Sequence, residues 1–310
     1  MTRLSEALKR AADTSGHVVM TADAGPAPGW QFAVDGRVPP AIVEPAPRVQ
    51  ETPAPVTVPL AARFNLDEST RLVVSADAEP GLVEQYRHLA AVLHHAQTAS
   101  GYRSVMVTSA LPSEGKTLTA TNLALTLSES YQRRVLLIDA DLRRPRIKDM
   151  FCLPDGEGLS DSLNRPGSGK LPVHQITPTL WVLTAGRATA DPMSTLVSGS
   201  MKQLLDEARS AFDWVVVDTP PIAILPDANL LASMIDTALL VVSAEATPYP
   251  MVQRAAQAIG PSRILGVVLN RAEASGMPSG YGYYARSEQT AAPGRWARWF
   301  GKGRGPAHVQ

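Results

Sequence analysis

The chain has 310 residues, of which 45% are hydrophobic, enough to bury a substantial core and to exclude a wholly disordered polypeptide. Its 29 Lys and Arg cancel its 29 Asp and Glu, so no net charge argues for wrapping a nucleic-acid backbone, and no nucleic-acid partner is expected. The balance is uneven: residues 1–70 carry six basic and eight acidic side chains, whereas 271–310 carry six basic and two acidic ones.

A single cysteine, Cys152, forms no internal disulfide and fits a reducing, cytoplasmic compartment. The first 16 residues interleave Leu4, Ala7, Leu8 and Ala11 with charges and lack the continuous apolar stretch of a signal peptide. No uncharged apolar run approaches the roughly 20 residues that span a bilayer. Any membrane connection is therefore expected to be peripheral or through a partner.

Residues 3–12 pattern as a short amphipathic helix. Nine of the 26 prolines then fall between Pro26 and Pro59 without helical or alternating periodicity, which reads as an extended linker closing an N-terminal region over 1–68. From Ser69 the pattern changes to helix-length segments alternating with short β-branched runs. Helices are expected over 81–97, 117–130, 194–212, 226–234 and 250–259. Strands are expected over 104–108, 135–138, 180–184, 214–217, 237–242 and 264–269. Strands separated by helices imply right-handed crossovers and a mostly parallel sheet covered on both faces, an α/β fold over 69–272. Beyond it, 273–310 is a tail rich in Gly, Ser, Arg and aromatics.

Residues 109–117 read SALPSEGKT between a predicted strand and a predicted helix, where a phosphate-cradling loop belongs. Successive backbone N–H groups there point inward, the helix N-terminus adds partial positive charge, and Gly115 lets the backbone approach closely. Nucleotide contacts are expected from Ser113, Glu114, Gly115, Lys116, Thr117 and Leu118, with Lys116 on the β- and γ-phosphates of ATP and Thr117 on Mg²⁺. Ala110 stands at the first glycine of the usual pattern. Residues 135–145 read VLLIDADLRRP, setting Asp139 and Asp141 at the carboxyl end of an apolar strand, and 214–221 read WVVVDTPP, which does the same for Asp218. Two carboxylates so placed either face one magnesium site or divide into a ligand and a base.

These three stretches, with Tyr281, Tyr283 and Tyr284 near the end, make the chain resemble the bacterial tyrosine kinases of polysaccharide export. The resemblance covers about Glu84 to Tyr284 and implies a P-loop fold of the MinD and ParA kind. It also implies ATP and Mg²⁺ as cofactors and autophosphorylation on tyrosine. Lys116 and Thr117 match the residues that bind phosphate and Mg²⁺, and Asp218 the aspartate that completes the metal site. Asp139 and Asp141 match the pair that supplies the base and a metal contact. Asp139 is favoured as base and Asp141 as metal-side ligand, with the apportionment left open. Asn270, ending the last predicted strand, matches an amide near adenine in related ATPases and equally suits a strand cap. The segments 158–163 and 191–196 match loops of the family and suit a structural role better than a catalytic one.

The tail tyrosines are the expected phospho-acceptors. Tyr281 lies only 11 positions after Asn270, so a neighbouring protomer's site is easier to enter than its own, and transfer in trans is expected. The resemblance further implies a membrane co-polymerase of the Wzz type as activator, a counteracting tyrosine phosphatase and a homo-oligomer. A ring is put in doubt because Ala90 breaks the Glu-x-x-Arg-x-x-Arg pattern begun by Glu84 and Arg87. His88, His94 and His95 on that helix read as packed or solvated rather than metal-binding. The stretch Arg295–Lys302 alternates aromatics with cations and suits either an anionic interface or a solvated tail. Two other readings share the motifs: a ParA- or MinD-like positioning ATPase, against which Leu111 replaces a second lysine, and a non-catalytic nucleotide-dependent regulator of export.

Overall fold

The computed structural model describes residues 72–75, 78–165, 171–189, 191–197 and 199–272. The N-terminal helix and linker over 1–68, the tail over 273–310 and its Tyr281, Tyr283 and Tyr284 lie outside the described residues.

In chain order the elements are α1 (Pro80–Ser100), β1 (Ser104–Ser109), α2 (Lys116–Glu129), β2 (Val135–Asp139), α3 (Ile147–Met150), α4 (Leu159–Asn164), β3 (Val173–Thr177) and β4 (Leu180–Leu183). There follow α5 (Pro192–Val197), α6 (Gly199–Ala211), β5 (Trp214–Asp218), α7 (Pro226–Met234), β6 (Thr237–Ser243), α8 (Tyr249–Ile259) and β7 (Ile264–Asn270). The seven strands lie in the order β3-β4-β2-β5-β1-β6-β7. Every pairing is parallel except β3 with β4.

The inner strands lack polar alternation because both faces are covered. Met106, Leu136, Ile138, Val215, Val217 and Leu240 join one buried cluster, with Leu196, Leu204 and Leu231 from α5, α6 and α7. Their neighbours along the strands, Val105, Val107, Val135, Leu137, Val216 and Leu239, join the other, with Leu93, Leu123 and Met150 from α1, α2 and α3. Successive side chains of a strand point to opposite faces, so each strand feeds both cores. Helix α1 stops where Gly101 adopts a left-handed conformation (φ 72°) and donates its N–H to Gln97 O at 2.8 Å, a C-cap that suits glycine.

The helix expected over 194–212 is seen as α5 and α6, on either side of residue 198, which lies outside the described residues. One local expectation is corrected. An antiparallel edge strand, β3, precedes β4 where no strand was expected. Its sequence VHQIT is polar, and its first three residues are only partly buried or exposed, so it lacks the apolar run of the inner strands.

The strand order sets the site. From β1 the chain crosses to β2 on one side, and from β5 it crosses to β6 on the other. The carboxyl ends of β1, β5 and β2 therefore meet at the switch point, where open α/β sheets hold ligands. Asp139 and Asp218 are register partners across β2 and β5.

Candidate active site

The phosphate loop runs from the end of β1 into α2. Gly115 caps α2 with φ 95° and ψ 16°, and a Cβ there would run into the amide of Asn270. Ser113 is also left-handed at φ 65°. The loop is held from outside by β7: Asn270 Nδ2 donates to Glu114 O at 2.8 Å, and Arg271 Nη2 donates to Ser113 O at 2.8 Å.

Lys116 and Thr117 open α2 and turn toward the strand ends. Lys116 Nζ lies 2.7 Å from Asp141 Oδ2 and 3.7 Å from Asp218 Oδ1. The Thr117 hydroxyl donates to Asp218 Oδ2 at 2.7 Å. Burial alone would pull Lys116 down, but Asp218 and Asp141 together hold the ammonium above its usual range. Burial pushes Asp218 up to about 6 against the pull of Lys116 and the Thr117 hydroxyl.

The paired carboxylates that sequence left open occupy different environments. Asp139 is wholly buried. Its Oδ2 accepts from the backbone N–H groups of Arg146 (3.1 Å) and Ile147 (3.0 Å), and its Oδ1 from Asp141 N at 3.3 Å. It thereby anchors the turn that enters α3. Burial, reinforced by Asp218, pushes its carboxyl up to about 8 despite those donors. Asp141 instead lines a cavity of about 1010 Å³, together with Ser113, Gly115, Lys116, Thr117, Leu118 and Asn270. Asp139, Glu114 and Asp218 are not on that wall.

Several wall residues were not among the expected site residues. Tyr86, from α1, faces the cavity while Asn122 and Thr119 engage its hydroxyl; burial holds the phenol above its usual range. Arg143 joins Asp227 of α7 through Nε to Oδ2 (2.5 Å) and Nη2 to Oδ1 (3.2 Å). That fork fixes the segment after Asp141 against the opposite core and needs a contact 84 residues away, which no local pattern encodes. Arg144, Arg146 and Arg271 add further cations to the wall.

The two family-like loops are structural in their contacts. Asp161 Oδ2 accepts from Gly158 N and Arg187 N, both at 3.0 Å, and Asp191 Oδ1 accepts from Ser194 N at 3.1 Å. Neither segment lines the cavity. His94 packs 6.0 Å from the Tyr131 ring. Among the described residues no group of three or more His, Cys, Asp or Glu is arranged to hold a metal unaided. The donors that do suit a magnesium ion are the Thr117 hydroxyl and Asp218, whose Oδ1 is buried and accepts no hydrogen bond. A hard oxygen set of this kind would rely on phosphate and water to complete the coordination shell.

Residues 102–280 match the family model described as ParA: NUBPL iron-transfer P-loop NTPase. The tyrosine-protein kinase YwqD of Bacillus subtilis is 36% identical over 234 residues, covering 74% of this chain and 98% of that protein. The succinoglycan biosynthesis transport protein ExoP of Rhizobium meliloti is 34% identical over 211 residues, 66% of this chain but only 26% of ExoP. The solved kinase domain of the Escherichia coli tyrosine kinase ETK superposes with a TM-score of 0.59 at 30% identity, covering 69% of this chain and 88% of that domain. With its lysine, hydroxyl and carboxylates assembled on a ParA-like sheet, the chain belongs to the bacterial tyrosine kinases.

Proposed function

We propose that the chain is an ATP-dependent tyrosine autokinase that phosphorylates Tyr281, Tyr283 and Tyr284 of a neighbouring copy and so regulates exopolysaccharide polymerisation and export. The observation that carries this reading is the convergence of Lys116, Thr117 and Asp141 on one cavity wall, with the buried Asp218 within hydrogen-bond or ion-pair reach of Lys116 and Thr117 behind it. The names of YwqD and ETK support the tyrosine specificity, and that of ExoP supports the export role.

Phosphoryl transfer asks a protein mainly to align the acceptor and neutralise charge on the transferring group. The N–H groups of the loop and Lys116 would take the β- and γ-phosphates, and Lys116 would exchange its pairing with Asp141 for the phosphates. Thr117 and Asp218, with Asp141 beside them, would hold Mg²⁺, which when bound supplies further neutralisation of the phosphate oxygens. A phenol of ordinary pKa, about 10, must lose its proton as it attacks. Asp141 stands on the cavity wall and is the carboxylate placed to accept it, while Asp139 holds the backbone after β2 in place. Asn270 is better supported as the brace of the loop than as a reader of the base edge, since both ends of its amide contact backbone.

No helix among the described residues is long and apolar enough to cross a membrane. In our reading a separate membrane co-polymerase, Wzz-like in role, provides the anchor and activating contact at the inner face of the plasma membrane, and a phosphatase reverses the modification. The match to a quarter of ExoP, a protein named for transport, supports that division of labour.

The test mixes a Lys116→Met chain with an active chain whose three tyrosines are Phe, adds ATP and Mg²⁺, and follows phosphotyrosine. Label on the Lys116→Met chain is expected. Its absence would refute transfer in trans, and ATP hydrolysis without any label in the wild type would instead favour a positioning ATPase.

A further inference from the structure

We propose that Glu114 is a positioning residue of the nucleotide site, acting through the turn between β6 and α8 and not on the ligand. The inference rests on the nucleotide-binding part of the reading above.

Glu114 lies within the phosphate loop, yet its side chain is 3% exposed and turns away from the cavity. Its Oε2 accepts from Leu111 N at 2.6 Å, across the bend of the loop. Its Oε1 accepts from the Thr247 hydroxyl and, at 3.5 Å, from Ser243 N. Its own carbonyl accepts from Asn270 Nδ2. One residue thus ties the loop to itself, to the end of β6 and to the end of β7.

This arrangement is costly unless it does something for the loop. A carboxylate buried next to a site for a polyanion repels the ligand, and a buried carboxylate needs donors to offset desolvation. An apolar side chain would avoid both costs. What the carboxylate alone supplies is two acceptor oxygens that fasten donors on opposite sides of it. A loop that binds phosphate through backbone N–H groups works only if those groups already point inward, because reorganisation would be charged against binding. Ser113 and Gly115, the left-handed residues on either side, are the positions that would relax if the tie were cut.

Thr247 is therefore a remote determinant of nucleotide affinity although it does not line the cavity. The experiment titrates full-length protein with a fluorescent ADP analogue in Mg²⁺. Glu114→Ala is expected to weaken binding by about 10- to 100-fold, and Thr247→Val, which removes the hydroxyl that donates to Glu114 and accepts from Ser243 N, by several-fold. The double variant should bind no worse than Glu114→Ala, since both cut one tie. Glu114→Gln should recover part of the loss, because its carbonyl can still accept from Leu111 while its amide donates to Thr247. Leu204→Ala in α6, matched for loss of thermal stability, should leave affinity unchanged. Wild-type affinity in Glu114→Ala, or in Thr247→Val if the former fails to fold, would overturn the proposal. So would losses that simply add, or an equal loss in Leu204→Ala. A wild type that binds the analogue but never labels tyrosine would sink the kinase reading and leave Glu114 standing; one that does not bind the analogue would sink both.

Discussion

Lys116 Nζ sits 2.7 Å from Asp141 Oδ2, so the phosphate-loop lysine is paired with a carboxylate of its own site. Its partner is an anion on the same cavity wall, which in the proposed reaction ATP would displace. Asp141→Asn should therefore bind ATP several-fold more tightly when Mg²⁺ is chelated, because like-charge repulsion is gone and the lysine is released. With Mg²⁺ present the same variant should lose about 10²-fold or more in tyrosine labelling if Asp141 has the proposed role of proton acceptor. Equilibrium titration with and without chelator, alongside a labelling rate, separates the two effects. Weaker metal-free binding would show that the pairing does not compete with phosphate.

Gly115 meets two independent constraints, a φ of 95° and the amide of Asn270 where a Cβ would go. Gly115→Ala should abolish measurable nucleotide binding and cost about 1–3 kcal/mol of stability, the range for a residue held in a sparsely populated backbone region. Gly115→Ala with Asn270→Ala removes the clash but keeps the strain and cuts the brace to Glu114 O. It should regain stability without regaining affinity, as thermal melts and analogue titration would register. Full recovery of binding would mean that the amide serves only to fill space.

How far the site could be read in the chain follows from the range of each contact. The stretch SALPSEGKT identifies the loop because spacing, strand before and helix after are all local. The meeting of Asp139 and Asp218 follows from inserting β5 between β1 and β2, a topology that alternating elements make plausible but do not specify. What sequence could not separate was Asp139 from Asp141. Two residues apart on paper, they differ in that one binds the N–H groups of Arg146 and Ile147 while the other faces the cavity. Likewise nothing local marks Glu114 as turned inward, since its partners Ser243 and Thr247 lie 129 and 133 residues on. The polar edge strand β3 escaped because pairing with β4, not its own pattern, makes it a strand.

Asp139 also sets a pH dependence. Burial raises its carboxyl from 3.8 to about 8. Between about pH 4 and 8 the unfolded chain has therefore given up a proton that the folded chain keeps, and stability falls as pH rises through that window. Asp218, raised to about 6, adds a fall of the same sign over about pH 4 to 6. Asp139→Asn removes the first contribution. In metal- and nucleotide-free protein, the folding constant of the wild type should decline relative to this variant by up to about tenfold per pH unit between 6 and 8. Denaturant unfolding at a series of pH values measures it, and parallel profiles for the two proteins would mean that Asp139 is ionised in the folded state at neutral pH.

Helix α1 carries the residues of the expected assembly pattern. Glu84 and Arg87 form an exposed pair on this helix at 2.5 Å, whereas Ala90, where a second arginine would continue the pattern, is fully buried in the core beside α2. Arg87→Ala should thus cost no more than about 1 kcal/mol in the monomer, the ordinary worth of a surface ion pair. Ala90→Arg should cost about 3–5 kcal/mol, because a guanidinium would enter an apolar layer without a partner. Thermal unfolding distinguishes the two. Sedimentation then decides what Arg87 does between molecules: a shift to smaller species in Arg87→Ala, at unchanged melting temperature, would place it in a contact between copies, and an unchanged profile would confine it to its pairing with Glu84. If Ala90→Arg instead folded with wild-type stability and formed larger assemblies, the helix would have to rotate about its axis to expose position 90, and the packing of Ala90 and Leu93 would not be what fixes α1 on the sheet.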